Sequence, residues 1–171
     1  MDSIAIYDRY LPFKSFSKIR DYITSPKIKW RFNEHKVSPL ESTDSFQFVH
    51  TFYRVLLPKG KQPGVNDDLV YLTPLLKQLN PSLVLKIKAN ITPRTPEPDK
   101  TDFHTDFELK MGHKTAIYYI NDNNAYTEFE SGEIVKSVAN RLVVFDGSQV
   151  HRGVSCTDKK IRIVLNLNYF P

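Results

Sequence analysis

The half of the chain beyond Pro81 places the tightest constraint on the fold. Five short runs of β-forming residues (82–92, 115–121, 134–138, 142–145 and 161–169) are separated there by segments with turn chemistry. Asn121-Asp122-Asn123-Asn124, Ser131-Gly132, Asp146-Gly147 and Thr157-Asp158 supply residues that turn the chain by left-handed backbone or by side-chain bonds to their own backbone. Short strands with regular turns and little helix predict a mainly β fold, a sandwich or jelly roll, with a double-stranded β-helix as the expected form of the C-terminal half. The first half reads differently. A strand is expected near Ile4 and Tyr7. A helix opens at Pro12, with Phe13, Phe16, Ile19 and Ile23 as its apolar stripe and Ser25-Pro26 as its end. The stretch 27–45 reads as irregular, 46–57 as an aromatic-rich strand and 59–66 as a loop. Thr73-Pro74 reads as an N-cap and first helical position, ahead of Leu75, Leu76 and Leu79. With 171 residues, 40% of them apolar, one domain is expected. Residues 1–81 would form a helical and mixed support and 82–171 the jelly-roll core.

Alternation within the strands divides their faces. Ile87, Ala89 and Ile91 share one side of their strand, and Lys88, Asn90 and Thr92 share the other. In the last strand Ile161, Ile163 and Leu165 oppose Arg162, Val164 and Asn166. A polar row with one arginine on central strands suggests a polar pocket inside the roll; a solvated sheet face is the alternative.

His104-Thr105-Asp106 places two metal-binding side chains at i and i+2, which on a strand face the same way about 7 Å apart. His151 comes after a strand and the turn Asp146-Gly147, from where it can point into the mouth of the roll. Two His and one carboxylate are the facial donor set of non-haem Fe(II) oxygenases, with positions left open for O2 and a co-substrate. His35, His50 and His113 read as ordinary surface or core residues. The single cysteine, Cys156, permits neither an internal disulfide nor a Cys-based zinc site. Arg162, if buried, needs an anion, either a neighbouring carboxylate or a ligand.

The net charge of +5 comes from scattered Lys and Arg, with small clusters at Lys27-Lys29-Arg31 and Lys59-Lys61. Without a basic stripe, a nucleic-acid partner is not expected. No apolar run approaches a membrane span, and the N-terminus lacks the features of a signal peptide. Together with the lone cysteine this leads to an expectation of a cytoplasmic protein, or one of the host cytoplasm if viral.

The region 83–170 resembles the Fe(II)/2-oxoglutarate oxygenases of the prolyl hydroxylase type. The resemblance rests on His104-Thr105-Asp106, on Thr115-Ala116-Ile117-Tyr118-Tyr119-Ile120-Asn121 and on Thr127-Glu128-Phe129. It continues through Asn140-Arg141-Leu142-Val143-Val144-Phe145-Asp146, His151 and Arg162-Ile163-Val164-Leu165-Asn166. It implies that His104, Asp106 and His151 are the catalytic iron ligands. Arg162 would bind the far carboxylate of the 2-oxoglutarate co-substrate, with Tyr119 helping. Asn90 and Thr92, with Lys88, are expected to line the pocket. The implied activity is a dioxygenase that consumes O2 and 2-oxoglutarate and hydroxylates a C–H bond, with an acidic ligand where halogenating relatives lack one. The implied primary substrate is a prolyl or other polypeptide side chain, with a small molecule as the alternative. The whole chain also resembles small oxygenase-like proteins of tailed phages, on its Lys-Ala-Asn and Asn-Tyr-Phe segments. It departs from the family pattern at Ala125-Tyr126, where Gly-Gly is common, and at Val164, where a smaller residue is usual. Both bear on pocket shape. A non-catalytic metal-binding jelly roll, an iron enzyme that does not use 2-oxoglutarate and a nucleic-acid-directed oxygenase stay open as alternatives. The proline-rich segment 93–103 reads as either a lid or a stiff surface connection.

Overall fold

A computed structural model describes residues 4–36, 46–55, 64–107 and 112–171. Parts of the expected 46–57 strand, the 59–66 loop and the irregular 27–45 stretch lie outside these, as does Lys59-Lys61. The described chain is built on two antiparallel sheets. The larger contains β1 (Ala5–Tyr7), β9 (Arg141–Asp146), β6 (Lys114–Tyr119), β11 (Ile161–Phe170), β5 (Leu83–Pro93), β3 (Gln47–Arg54) and β2 (Arg31–Asn33), in that spatial order. A two-residue strand, β4 (Gly64–Val65), pairs with β3. The smaller sheet runs β10 (His151–Val154), β7 (Tyr126–Phe129), β8 (Ile134–Lys136). The mainly β, jelly-roll class expected from the sequence is the one observed.

Two apolar layers arise from the alternation. On one face of the large sheet Ile87, Ala89, Ile163, Leu165 and Leu167 pack with Phe16, Ile19 and Ile23 of α1 (Phe13–Ile23) and Leu75 of α2 (Thr73–Leu79). On the other, Ile117, Tyr119, Val143, Phe145 and Val164 meet Phe129 and Val135 of the small sheet. Burying each such side chain contributes about 1.5–3 kcal/mol, so the first layer fastens the helices to the large sheet and the second holds the two sheets together. The remaining polar groups on this inner face therefore have nowhere to go but the open end between the sheets.

Several local expectations are corrected. Phe13 is 74% exposed, and Tyr22 takes its place on the buried stripe of α1. Thr73 is not an N-cap: a 3-10 helix at Asp67–Leu72 runs straight into α2, Leu72 precedes the first helical residue, and the Thr73 hydroxyl donates back to the Val70 carbonyl. The C-terminus of α2 closes on Asn80 in the left-handed region, where its N–H bonds the Leu76 carbonyl. The stretch expected to be irregular contains β2, and the first 81 residues supply β1, β2, β3 and β4 to the large sheet as well as the helices. No helix among the described residues is long and apolar enough to cross a membrane.

Candidate metal centre

The three residues singled out as ligands converge. Among the described residues, His104, Asp106 and His151 each offer one ligand atom, all within 4.8 Å of one another. The i, i+2 pair does not sit on a regular strand, contrary to expectation. His104 makes a single antiparallel bridge to His151, with N–H···O distances of 2.9 and 3.0 Å in the two directions, and the chain then leaves the sheet. The bridge is enough, because it fixes the two His backbones opposite each other and puts their rings 4.9 Å apart. His151 opens β10, which pairs with β7 through His151 and Phe129.

Backbone carbonyls orient both imidazoles. His104 Nδ1 lies 2.9 Å from the Asp102 carbonyl and His151 Nδ1 lies 3.1 Å from that of Gln149. A carbonyl only accepts, so in each ring Nδ1 is the donor, and Nε2 is the nitrogen left to face a metal. Burial pushes the His151 imidazolium down, against the pull of Asp106, which favours the neutral form that a metal needs. Asp106 is fixed by an asparagine that the sequence motifs do not single out. Asn168, fully buried on β11, donates through Nδ2 to Asp106 Oδ2 at 2.7 Å and to Thr115 Oγ1 at 3.0 Å. Burial alone would raise the Asp106 carboxyl. The charges of Lys86 and His151, the Asn168 amide and Lys88 outweigh it and hold the group well below the usual carboxylate range.

The triad opens on a cavity of about 220 Å³ between the sheets. Asn90, Thr92 and Lys88 of β5 and Arg162, Val164 and Asn166 of β11 all line it, as the alternation of both strands requires. Lys86, Gln47 and Thr127 also line it; Lys86 continues the polar face of β5 by one step and was legible on the same pattern. The Oδ1 atoms of Asn90 and Asn166 are buried without a hydrogen-bond partner. Arg162 is 7% exposed and, among the described residues, has no carboxylate partner. Among the described residues its guanidinium hydrogen-bonds hydroxyls, Thr127 Oγ1 at 3.2 Å and Ser137 Oγ at 3.4 Å. Gly153 lies alongside it, close enough that a Cβ there would make ordinary van der Waals contact with Arg162 Nη1 at 3.4 Å. Tyr119 stands behind the arginine, its ring centroid 5.8 Å from Arg162 Cζ, and its hydroxyl donates to Thr127 at 2.7 Å. It thus braces the Arg162–Thr127 pair and is not among the residues lining the cavity.

The segment 93–103 is stitched down. The Thr95 and Thr101 amides bond the Cys156 and Gly153 carbonyls, and the Asp99 amide bonds Ser155 Oγ at 2.8 Å. These bonds tie the segment to β10 and the residues that follow it. Of the other histidines, His50 pairs with Asp68 at 2.8 Å. His113 is buried against Gly147 with both ring nitrogens lacking a hydrogen-bond partner, which the sequence did not foretell.

No protein-family model matches the sequence, and a comparison with curated protein sequences finds no match. Solved structures do match in fold. An oxidoreductase of the 2OG-Fe(II) oxygenase family from Burkholderia pseudomallei superposes with a TM-score of 0.64 at 8% identity, over 98% of this chain and 85% of that one. A Trichoplax adhaerens prolyl hydroxylase, in complex with a hypoxia inducible factor oxygen degradation domain peptide fragment, gives 0.61 at 14% identity over 98% and 83%. The non-heme alpha ketoglutarate dependent epimerase SnoN from nogalamycin biosynthesis gives 0.65 at 11% identity over 99% and 81%. The chain therefore has the fold of the 2-oxoglutarate- and Fe(II)-dependent oxygenases, prolyl hydroxylases among them, and carries a His-Asp-His cluster at the open end between its two sheets.

Proposed function

We propose that the protein is an Fe(II)- and 2-oxoglutarate-dependent dioxygenase that hydroxylates a C–H bond of its substrate. The observation that carries this reading is Arg162: a buried guanidinium facing a cavity shared with a His-Asp-His cluster, with hydroxyls around it and no carboxylate among the described residues. Leaving such a charge unpaired costs several kcal/mol, so the site is built for an anion. A structural arginine would have brought its own Asp or Glu.

The donor set fits the implied metal. Two imidazole nitrogens and one carboxylate oxygen within 4.8 Å of one another suit Fe(II) and leave part of its coordination sphere to ligands from the cavity. When bound, iron and 2-oxoglutarate supply the oxidising chemistry, in which O2 and 2-oxoglutarate are consumed, succinate and CO2 are released, and one oxygen atom enters the substrate C–H bond. The chain's own residues position and insulate. Asn168 and Thr115 hold Asp106 Oδ2, which leaves Oδ1 to turn towards the imidazoles. Arg162, with Thr127, receives the far carboxylate of the co-substrate in a bidentate fork. Ile117 and Val164 give the cavity an apolar flank, and Phe129 and Phe145 pack around His151 behind it. That flank keeps bulk water from the reacting end and strengthens every charged contact there. A peptide side chain is the substrate class implied by the sequence resemblance.

Anaerobic addition of 2-oxoglutarate to the Fe(II)-loaded chain should produce a weak visible absorption band. In Arg162→Gln the same band should need about 10–100 times more 2-oxoglutarate, while Fe(II) affinity is retained. A wild-type protein that binds Fe(II) but shows no 2-oxoglutarate dependence, or an Arg162→Gln variant indistinguishable from it, overturns the reading.

A further inference from the structure

We propose that Lys86 and Lys88 form a second anion-binding subsite, which takes a carboxylate or phosphate group of the primary substrate beside the metal. The inference rests on the metal and co-substrate reading above for its charge balance, and on strand geometry for its placement.

Both lysines are on the inner face of β5 and line the cavity with half-buried side chains. The register across β5 and β11 sets their positions: Arg162 lies opposite Thr92, Asn166 opposite Lys88, and Asn168 opposite Lys86. Lys88 and Lys86 are four and six residues along β5 from Thr92, which places their backbones roughly 13 and 20 Å from the Arg162 level at about 3.3 Å per residue. The Asn168 that sits across from Lys86 is the residue holding Asp106. The cavity thus has one cationic pole at Arg162 and another beside the metal ligands.

Neither lysine has an ion pair among the described residues. Lys36, the other lysine of the cavity, is bonded to Asp99 at 2.7 Å, so it is already neutralised. Lys86 rests over the Phe107 ring at 4.8 Å from its centroid, a contact that a cation makes without a counter-ion. Among the described residues, the only carboxylate in the cavity lining is Asp106. In the metal-free protein its charge compensates the lysines at a distance. A divalent ion on the triad claims that carboxylate and adds two positive charges. 2-Oxoglutarate returns two negative charges, and its far end goes to Arg162. Among the described residues, the cationic pole at Lys86 and Lys88 is left without a counter-charge in a half-buried site, which is costly unless the next ligand carries an anion. Burial holds the Lys88 ammonium down to about 8, with Lys86 pushing the same way, so it is a group that gains from a partner. Two lysines close together recognise a carboxylate or phosphate as point charges, and the row of Asn90 and Asn166 amides next to them offers the hydrogen bonds that orient it.

The test uses the full chain loaded with Mn(II), saturated with 2-oxoglutarate under nitrogen. The probes are inorganic phosphate, monitored by ³¹P relaxation, and ¹³C-labelled acetate, monitored by ¹³C relaxation. Paramagnetic enhancement of phosphate alone identifies a phosphate-bearing substrate, and of acetate alone or of both, a carboxylate-tolerant site. The apparent dissociation constant should rise about tenfold in Lys88→Gln, and further in Lys86→Gln/Lys88→Gln, with recovery in Lys88→Arg. Free Mn(II), read by electron paramagnetic resonance, verifies that the triad still binds in each variant. Enhancement of neither probe in the wild type, or enhancement undiminished in the double variant, overturns the subsite. So does a Lys88→Gln loss of 2-oxoglutarate affinity equal to that of Arg162→Gln, which would assign the lysine to the co-substrate. If the wild type binds no 2-oxoglutarate, the proposed activity falls, while the same anion titration without 2-oxoglutarate still decides the lysines.

Discussion

Asn168 shows how much of the metal centre is settled outside its ligands. One buried amide group bridges Asp106 Oδ2 and Thr115 Oγ1, and so fixes the carboxylate beside the imidazoles. Asn168→Leu keeps the volume and removes both bonds. The expected result is a loss of about 10–100-fold in Fe(II) or Co(II) affinity, read by anaerobic titration. Unchanged affinity would mean that the Asn168 amide is not what holds Asp106 in place. Lys88 poses the opposite case, a group whose role costs stability. Its folded-state pKa lies below its ordinary value, so between about 8 and 10.5 the unfolded chain binds more protons than the folded one, and stability rises with pH across that window. Below pH 8 the penalty is fully present. Lys88→Met should therefore stabilise the metal-free protein at pH 7, by about 1–2 kcal/mol after allowing for Asp106 losing a neighbour, and the gain should vanish above about pH 10.5. Urea midpoints of the two proteins across pH 6–11 decide it, and a gain that persists at the alkaline end would have to come from packing.

At the scale of the element, the turn between β9 and β10 carries a strict packing demand. A Cβ on Gly147 would fall 2.1 Å from His113 Nε2, so the backbone and the imidazole are in direct contact. Gly147→Ala should destabilise by about 1–3 kcal/mol in denaturant unfolding, from overpacking. Adding His113→Ala should recover most of that loss, because the two sites share one space; an additive double variant would show that the alanine strains the turn itself. Such local facts explain what the sequence could and could not reveal. The faces of β5 and β11 were legible because both are long and buried on one side by apolar residues at every second position. From them Lys88, Asn90, Thr92 and Arg162 could be read directly. Asn166 and Asn168 continue the same row, and Asn168 was readable but carried no chemistry until Asp106 was seen beside it. By contrast, β2 has three residues, two of them exposed, at the edge of the sheet, and only its pairing with β3 makes it a strand. β10 has no alternation, being buried at its two ends and half-exposed at Arg152 and Gly153. Its existence depends on β7, more than twenty residues away, and such pairing leaves no local trace. The same holds for His104, whose only strand-like contact among the described residues is to His151.

At the scale of the whole molecule, the layered arrangement makes ligand binding a matter of global stability. The large sheet holds Arg162 and Asn168, the small sheet holds His151 and Thr127, and the bridge to His104 ties the triad across them. A metal bound to the triad therefore binds residues that come together only in the folded chain. So does a dianion bound between Arg162 and the metal. Mass action then requires each to raise the unfolding temperature, and the order matters. Fe(II) or Mn(II) alone should stabilise. 2-Oxoglutarate alone should stabilise little, because half of its site is the metal. The two together should exceed the sum of their separate effects. At a ligand concentration near 100 times the dissociation constant the increment is about 2.7 kcal/mol, or roughly 5–11 °C for a chain of this size. Arg162→Gln should abolish the 2-oxoglutarate increment and keep that of the metal, and His104→Ala should abolish both. Thermal unfolding under nitrogen, with each ligand added singly and then together, separates these cases. An equal rise from 2-oxoglutarate with and without metal would place the dianion somewhere other than the cavity at His104, Asp106 and His151.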